Sequence, residues 1–410
     1  MTAFDADVII AGAGPAGTLA AYELASRGIP VLLLEKSAFP RYKVCGAGLT
    51  HKILQEIPYD ITPVIETTIR SVRFSRRHGE IFTRTADDPV MYCTMRDTLD
   101  AFLLNRATDK GAVVRFGEHV TGLNQFDGHV EVKTRTGTFR SKLVIGCDGA
   151  SGTVARAAGL RKDIVMGLAW EAEIPADPAL VGALSETVFL DWGTIPGGYA
   201  WMFPKRDHLS VGVGGPAGLS ACMMPYLDQF VLASFGEALY KSEISNRKSK
   251  IQSWPIPVRL RKGRFHHHRV LVAGDAAGLT DPMTGEGIWY AVKSGRMAAD
   301  ACIAFLEGRS SAFPQFSAGV NATLMEELCE AHRIRNIFNT VPGKIHRLVR
   351  DNDRVWRAFG KILRGERVYA DVKRGFGKWK FLWGAATKVA GGVYFFKERV
   401  AGKQGNKVTR

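Results

Sequence analysis

The sequence runs to 410 residues, 46% hydrophobic and 23% charged, which argues against a disordered chain and allows two or three domains of roughly 100–200 residues each. No stretch approaches the roughly 20 apolar residues of a membrane-spanning helix, and six cysteines without a C-x-x-C pair argue against iron–sulfur or structural zinc sites and fit a reducing, cytoplasmic setting. The net charge of +15 sits in one place: residues 331–410 carry 20 Lys/Arg against 5 Asp/Glu, and the remainder carries 35 of each sign.

The opening run predicts strand, glycine turn, helix and strand. Asp7–Ala11 reads as a short strand and Ala16–Ser26 follows a helical period. Gly28 caps that helix, and Val31–Leu34 is a buried strand ending at Glu35. The apolar start leads straight into glycines and reads as a strand, not a secretion signal. The segment MRDTLDAFLLNRATDKGA predicts an amphipathic helix, followed by strands at Val113–Phe116, Val130–Thr134 and Leu143–Cys147. From Ile164 to Val213, β-rich runs are broken by Pro and Gly, as in an antiparallel sheet. Met223–Tyr240 reads as helix, Val270–Ala273 as strand, and a long helix follows from about Gly287 to Leu306. Further helices are expected to about Leu363.

Three acid- and glycine-bearing turns carry the chemistry. In Gly12-Ala13-Gly14-Pro15-Ala16-Gly17, Gly12 allows the tight turn and Gly14 lets backbone approach a pyrophosphate. Gly17 lets the helix pack on the strand, and the helix N-terminus faces the phosphate. Glu35 ends the second strand, where a carboxylate accepts from an adenosine ribose, which suits NAD or FAD and disfavours a 2′-phosphate. Asp148-Gly149 and Gly274-Asp275 each follow a strand, and Gly285-Glu286-Gly287-Ile288 opens a helix whose N-terminus would face a flavin pyrimidine edge. A nicotinamide dehydrogenase has no need of glycine loops so late in the chain, so FAD is the expected cofactor. Ordinary turn chemistry is the alternative for Asp148 and Asp275. The expected fold is α/β: a Rossmann-like FAD-binding domain with an inserted antiparallel-sheet substrate domain and a helical C-terminal region. The FAD domain takes residues 1–75, 90–160 and 265–310, the substrate domain 76–89 and 161–264, and the helical basic region 311–410.

Together the three motifs resemble the FAD-binding aromatic-ring hydroxylases and their relatives over roughly residues 5–310. Pro40-Arg41-Tyr42-Lys43-Val44-Cys45-Gly46-Ala47-Gly48 resembles the P-x-x-K-x-C-G-G-G loop of the geranylgeranyl reductase family. Tyr199, Trp201, Phe203 and Pro204 resemble its Y-x-W-x-F-P strand. Ala47 stands where glycine is usual, and the loop departs from the K-P-C-G-G-A of chlorophyll-type members. The resemblance implies FAD contacts at Ala16, Glu35, Cys45, Gly46, Gly48, Arg96, Val120, Asp275, Gly287 and Ile288, with Arg96 reaching the pyrophosphate. It also implies reduction of isolated C=C bonds in an isoprenoid chain, with hydride from flavin N5 to one carbon and a proton to the other. Electrons would come from transiently bound NAD(P)H or from a reduced ferredoxin docked on the basic face. Tyr199, Trp201 and Phe203 alternate along one strand, so they share a face as a candidate tunnel wall or as plain core. A thiol ordinarily titrates near pH 8.5, so Cys45 is a candidate proton donor, or only a neighbour of the flavin.

An FAD-dependent monooxygenase, or a halogenase, acting on an aromatic or lipid substrate shares the same motifs and is the alternative. A halogenase needs a relay lysine, and Ile53–Asp88 contains none. Three successive histidines in FHHHR (265–269) cannot share one side of a strand, so no metal site is expected. The basic tail holds 11 of the 40 aromatics, among them Phe376, Trp379, Phe381, Trp383, Tyr394, Phe395 and Phe396. It shows no RNA or DNA module, so no nucleic acid partner is expected, and an anionic membrane surface is the expected partner through peripheral docking. Trp356, Phe359 and Leu363 form one helical stripe beside a second of Arg354, Arg357, Lys361 and Arg364. Such a helix either lies on a bilayer or covers the substrate domain.

Overall fold

The computed structural model describes residues 4–241, 250–309, 312–375 and 390–392. The first strand, Ala6–Ala11, lies at the centre of a parallel sheet, and Val8 to Ala11 are wholly buried. Both faces are covered, which is why the strand is an unbroken apolar run instead of an alternating one. Across this sheet the order is His266–His267, Val270–Val272, Thr138–Gly146, Ala6–Ala11, Val31–Glu35 and Val113–Phe116. Strand Thr138–Gly146 starts earlier than the apolar run Leu143–Cys147 suggests, because its first half forms an antiparallel hairpin with Val130–Thr134, itself paired to Val120–Gln125. Helices Pro15–Ala25 and Ile288–Leu306 pack together through small residues: a methyl on Gly295 would stand 2.3 Å from the Ala16 carbonyl oxygen. This contact joins the first glycine motif to the last one.

The second sheet has seven strands, in the order Gln252–Arg259, Ile164–Pro175, His208–Pro216, Tyr199–Pro204, Thr187–Trp192, Ser71–Arg76 and Gly79–Thr85. Its pairings are antiparallel except that of Thr187–Trp192 with Ser71–Arg76. One face packs on helix Ser220–Leu239, where Ala200, Met202, Val211 and Tyr226 form a core. Since side chains alternate along a strand, Tyr199, Trp201 and Phe203 look the other way.

Helices Pro342–Asp351 and Asp353–Leu363 roof the far half of that second face. Val349, Trp356 and Leu363 are buried against Val72, Phe74 and Val188, and Trp356 Nε1 donates to the Thr85 carbonyl at 2.9 Å. The Trp356/Leu363 stripe therefore covers the substrate sheet, with Phe359 half-buried beside it, while Arg354 and Arg357 face solvent. The aromatics from Phe376 to Trp383 and from Tyr394 to Phe396 lie outside the described residues. Among the described residues no helix is long and apolar enough to cross a membrane.

Candidate flavin and substrate site

A cavity of about 1860 Å³ runs from Gly12 and Asp148 at the parallel sheet to Val349 and Phe359 under the roof helices. At the nucleotide end the backbone makes the wall. Gly12 has φ +96°, and a Cβ there would stand 2.4 Å from the Cys147 carbonyl oxygen. A Cβ on Gly17 would stand 2.0 Å from the Gly12 carbonyl oxygen, so Gly17 packs the helix onto the strand from behind the cavity wall. Gly14 faces open space, its nearest neighbour being Arg41 Nη2 at 4.0 Å. Ala16 lines the cavity at the start of the helix.

Glu35 is buried at the end of its strand. Its Oε2 accepts from the Ala13 amide at 2.9 Å and its Oε1 from the Ser37 amide at 3.0 Å. Asp148 Oδ2 accepts from the Thr153 and Val154 amides at 2.5 and 2.9 Å, so the carboxylate does cap a short helix. Its Oδ1 is buried without a partner, and burial raises the carboxyl above the usual range. Arg96, expected at the pyrophosphate, gives both arms of its fork to Asp100, at 2.9 and 2.8 Å, and lies beside Cys45. Arg41, which sequence reasoning left without a role, stands next to the Gly14 cradle and pairs with Asp100 at 3.3 Å. Its position in the loop just after Glu35 was the available signal. Val120 and Ile288 line the same space. Asp275 stands 3.9 Å from Lys43 Nζ, and a Cβ on Gly287 would lie 3.4 Å from Asp275 Oδ1.

Cys45 is half-buried in the middle of the cavity, with the Ala47 amide donating to its Sγ at 3.4 Å. Ala47 has φ +47°, a left-handed conformation that disfavours a side chain by about 1–2 kcal/mol. The neighbouring glycines have another reason to be glycine. A Cβ on Gly46 would lie 3.0 Å from Phe203 and Trp201, and one on Gly48 would lie 2.4 Å from Met91 and 3.1 Å from Phe203. The space that a side chain would take at these two positions already belongs to the aromatic wall. Along that wall the rings of Tyr199 and Trp201 are 6.0 Å apart, and those of Trp201 and Phe203 are 6.3 Å apart. Tyr199 also donates its hydroxyl to the Thr284 carbonyl, tying the strand to the Gly285 turn. Beyond the aromatics the cavity is mostly apolar, bounded by Phe74, Leu190, Trp192, Phe338 and Phe359, with His332, Arg335, Asn336 and Asn339 on the helix that carries Phe338.

Sequence reasoning missed two buried charges here. Lys205 is 1% exposed, and its Nζ donates to the carbonyls of Gly46 at 2.7 Å and Thr94 at 2.6 Å. Glu171 is 1% exposed and accepts from Ser210 Oγ at 2.6 Å. Burial pushes its carboxyl up to about 7, against the opposing pull of Ser210, Lys205 and the Cys45 amide. The signal for Lys205 was parity: it follows Tyr199, Trp201 and Phe203 at the same two-residue step. The three histidines diverge, His266 to Ser317 at 2.7 Å and His267 to Gln125 at 3.1 Å. Among the described residues no three His, Cys, Asp or Glu side chains form a metal cluster.

FAD fits these residues: an open cradle before a helix N-terminus, an acid where a ribose would sit, and a buried carboxylate oxygen without a partner. The fold and site define a flavin-dependent oxidoreductase. Residues 5–313 match the FAD binding domain family. The chloroplastic geranylgeranyl diphosphate reductase of Oryza sativa subsp. japonica is 30% identical over 316 residues, 72% of this chain and 66% of that one. The digeranylgeranylglycerophospholipid reductase of Methanocella arvoryzae is 30% identical over 351 residues, 82% of this chain and 88% of that one. Among solved structures, a geranylgeranyl bacteriochlorophyll reductase-like protein from Thermoplasma acidophilum superposes with a TM-score of 0.70 at 23% identity, covering 88% of this chain and 92% of that one. The chain belongs to the geranylgeranyl reductase family of FAD-binding oxidoreductases.

Proposed function

We propose that this protein is an FAD-dependent reductase that saturates C=C bonds of a geranylgeranyl-type isoprenoid chain. The supporting observation is a cavity that continues from the Gly14 cradle past Cys45 and the aromatic wall into an apolar end under the roof helices. When bound and reduced, FAD supplies the hydride equivalent. Gly12, Gly14 and the helix opening at Pro15 would hold its pyrophosphate with Arg41 beside them, and Glu35 its adenosine ribose. Asp148, Asp275, Val120, Gly287 and Ile288 would line the remainder of the cofactor. Tyr199, Trp201 and Phe203 exclude water and align the chain, which matters because an isolated alkene offers no charge to grip. Cys45 Sγ would hold the proton for the second alkene carbon.

The division of labour follows the segments. Residues 1–70, 90–160 and 265–310 would hold the cofactor and 71–89 and 161–264 the substrate, the expected boundary at 75 moving to 70 because Ser71–Arg76 pairs into the substrate sheet, and the helices beyond 311 would close the apolar end. Reducing equivalents would arrive through transiently bound NAD(P)H or a ferredoxin. The solvent-facing Arg354 and Arg357 support salt-sensitive docking to an anionic membrane surface.

The test is anaerobic reduction of the FAD-loaded protein followed by addition of geranylgeranyl diphosphate, or of an aromatic acid with oxygen. Alkene-dependent reoxidation without oxygen, with a product two hydrogens heavier, is expected. Oxygen-dependent hydroxylation of the aromatic acid would replace this reading with the monooxygenase one.

A further inference from the structure

Helix Leu324–Thr340 carries His332, Arg335, Asn336 and Asn339 at i, i+3, i+4 and i+7, one stripe that borders the far half of the cavity. An apolar chain gains nothing from such groups, and packing against them leaves their hydrogen bonds unmade. Asn339 holds the helix in place: its Oδ1 accepts from the Gly197 amide at 2.7 Å, in the loop before the aromatic strand. His332 and Asn336 behave differently. His332 Nδ1 stands 3.2 Å from Arg335 Nη2. A guanidinium only donates, so Nδ1 accepts and the ring proton is on Nε2. Burial, and then the charges of Arg335 and Arg333, push this imidazole down to about 4, so it is neutral near pH 7 and has that one proton. Asn336 Nδ2 stands 3.3 Å from Nε2. Two donors do not bond, so the amide takes the half-turn that gives its oxygen to Nε2–H. Its NH2 then occupies the opposite position, which is buried with no hydrogen-bond partner, on a residue 6% exposed. Among the described residues that line the cavity beyond Ile288 there is no carboxylate, and Arg335 is the one charged side chain.

We propose that Arg335 and Asn336 form the site for a phosphate at the head of the isoprenoid substrate. This rests on the reading of the cavity as an isoprenoid site. Phosphate oxygens accept both from a guanidinium fork and from an amide N–H, and a buried cation with an unmet amide donor beside it is the arrangement they complete. The phosphate could belong to a free diphosphate or to a glycerophospholipid, and the chemistry at these two side chains is the same. From this patch the chain would run past Phe338 and Trp192, whose rings are 5.8 Å apart, toward the aromatic wall at Trp201. The polar stripe and the apolar wall then serve the two ends of one amphiphilic molecule.

The experiment is a binding titration of the full-length, FAD-loaded, oxidised protein, read by tryptophan fluorescence below the micelle concentration of each ligand. The ligands are geranylgeranyl diphosphate, digeranylgeranylglycerophosphate and the uncharged geranylgeraniol. The wild type is expected to bind at least one of the two phosphates at least tenfold more tightly than the alcohol. If the diphosphate is the tighter of the two, the head group is a free diphosphate; if the glycerophosphate is, it is a lipid head group. Either order supports the site. Asn336→Asp, which keeps the size and replaces the donor by a negative charge, is expected to weaken the preferred phosphate at least tenfold and the alcohol less than twofold. Arg354→Gln, at the solvent-facing arginine, is expected to leave both unchanged. Should Asn336→Asp fail to fold, seen as lost FAD absorbance, Arg335→Gln is expected to cause the same selective loss. Equal binding of alcohol and both phosphates by the wild type would overturn the proposal, as would a wild-type preference in folded Asn336→Asp. Because no turnover is read, the two ideas separate. A phosphate preference with no alkene-dependent reoxidation sinks only the reductase reading, and reoxidation with no preference sinks only the head-group site.

Discussion

The two walls of the cavity are built from different materials. The nucleotide wall is backbone: Gly12, Gly14 and the helix opening at Pro15, with Gly17 packed on Gly12 from within the motif and the Cys147 carbonyl behind Gly12. The opposite wall is side chain: Trp201 and Phe203 from one strand, Phe74 from another, and Phe359 from a helix far along the chain. A backbone wall cannot accept an added atom but is indifferent to most neighbouring side chains. A side-chain wall accepts substitution at a graded cost and sets what fits against it.

The sharpest way to break this comparison is Gly17→Ala. The new methyl would lie 2.0 Å from the Gly12 carbonyl oxygen and 3.2 Å from Ile10 Cγ2, and no flexible side chain is there to give way. Destabilisation of more than about 4 kcal/mol is expected, with loss of bound FAD. Urea unfolding and the flavin absorbance check it. A variant with wild-type stability and full FAD content would show that the helix does not sit on the strand as described. Trp201→Ala, next in size, acts on the other wall. Truncating a buried aromatic costs about 3–5 kcal/mol through the cavity it leaves. Here FAD is expected to remain bound while alkene-dependent reoxidation slows more than tenfold. Loss of FAD with unchanged turnover per bound flavin would erase the distinction between the walls.

What could be read in the sequence divides along the same line. The glycine motif, Glu35 and the two strands around them were legible because their contacts are local and their spacing is fixed by one turn and one helix. Arg96 was a different case. Its partner Asp100 stands one helical turn away in RDTLD, so the ion pair was visible in principle, and Arg96 lines the cavity as a paired guanidinium. The apolar stripe through Trp356 was legible as a stripe. Periodicity reports that a helix has an apolar face and not what covers it, so the sheet beneath could not be told from a membrane. Glu171 and Lys205 were least legible. Lys205 bonds the Gly46 and Thr94 carbonyls more than a hundred residues earlier, and Glu171 bonds Ser210 across the sheet, contacts made only by tertiary packing.

Glu171 also gives a prediction about pH, smaller in size. Its folded pKa, about 7, lies above the ordinary 4.5, with burial the main cause. The folded state therefore keeps a proton that the unfolded chain loses, and the stability from Glu171 is fully present below pH 4.5 and lost as pH rises to 7. The interval corresponds to about 3 kcal/mol. In Glu171→Gln this part of the decline should vanish, so the melting temperatures of variant and wild type converge toward acid pH and diverge in the variant's favour above pH 7. Parallel curves across the whole range would place the carboxyl in a wetter environment than the fold gives it.

The smallest effect is expected where the two walls touch, at Ala47, flanked by glycines that cannot change. Ala47→Gly would release a left-handed conformation that costs about 1–2 kcal/mol. Against this stand the loss of a methyl that is 2% exposed, about 0.8 kcal/mol, and the extra freedom of glycine in the unfolded chain, about 0.4–1 kcal/mol. The terms nearly cancel, and a net change under about 1 kcal/mol is expected in urea unfolding. Gly48→Ala, one residue on, puts a methyl 2.4 Å from the terminal methyl of Met91, which can swing aside, and 3.1 Å from the Phe203 ring, which is held in the wall, and should cost more than Ala47→Gly. If the two substitutions cost the same, the aromatic wall is not what requires glycine in this loop, and the close approach of Phe203 to Gly46 and Gly48 would lose its meaning.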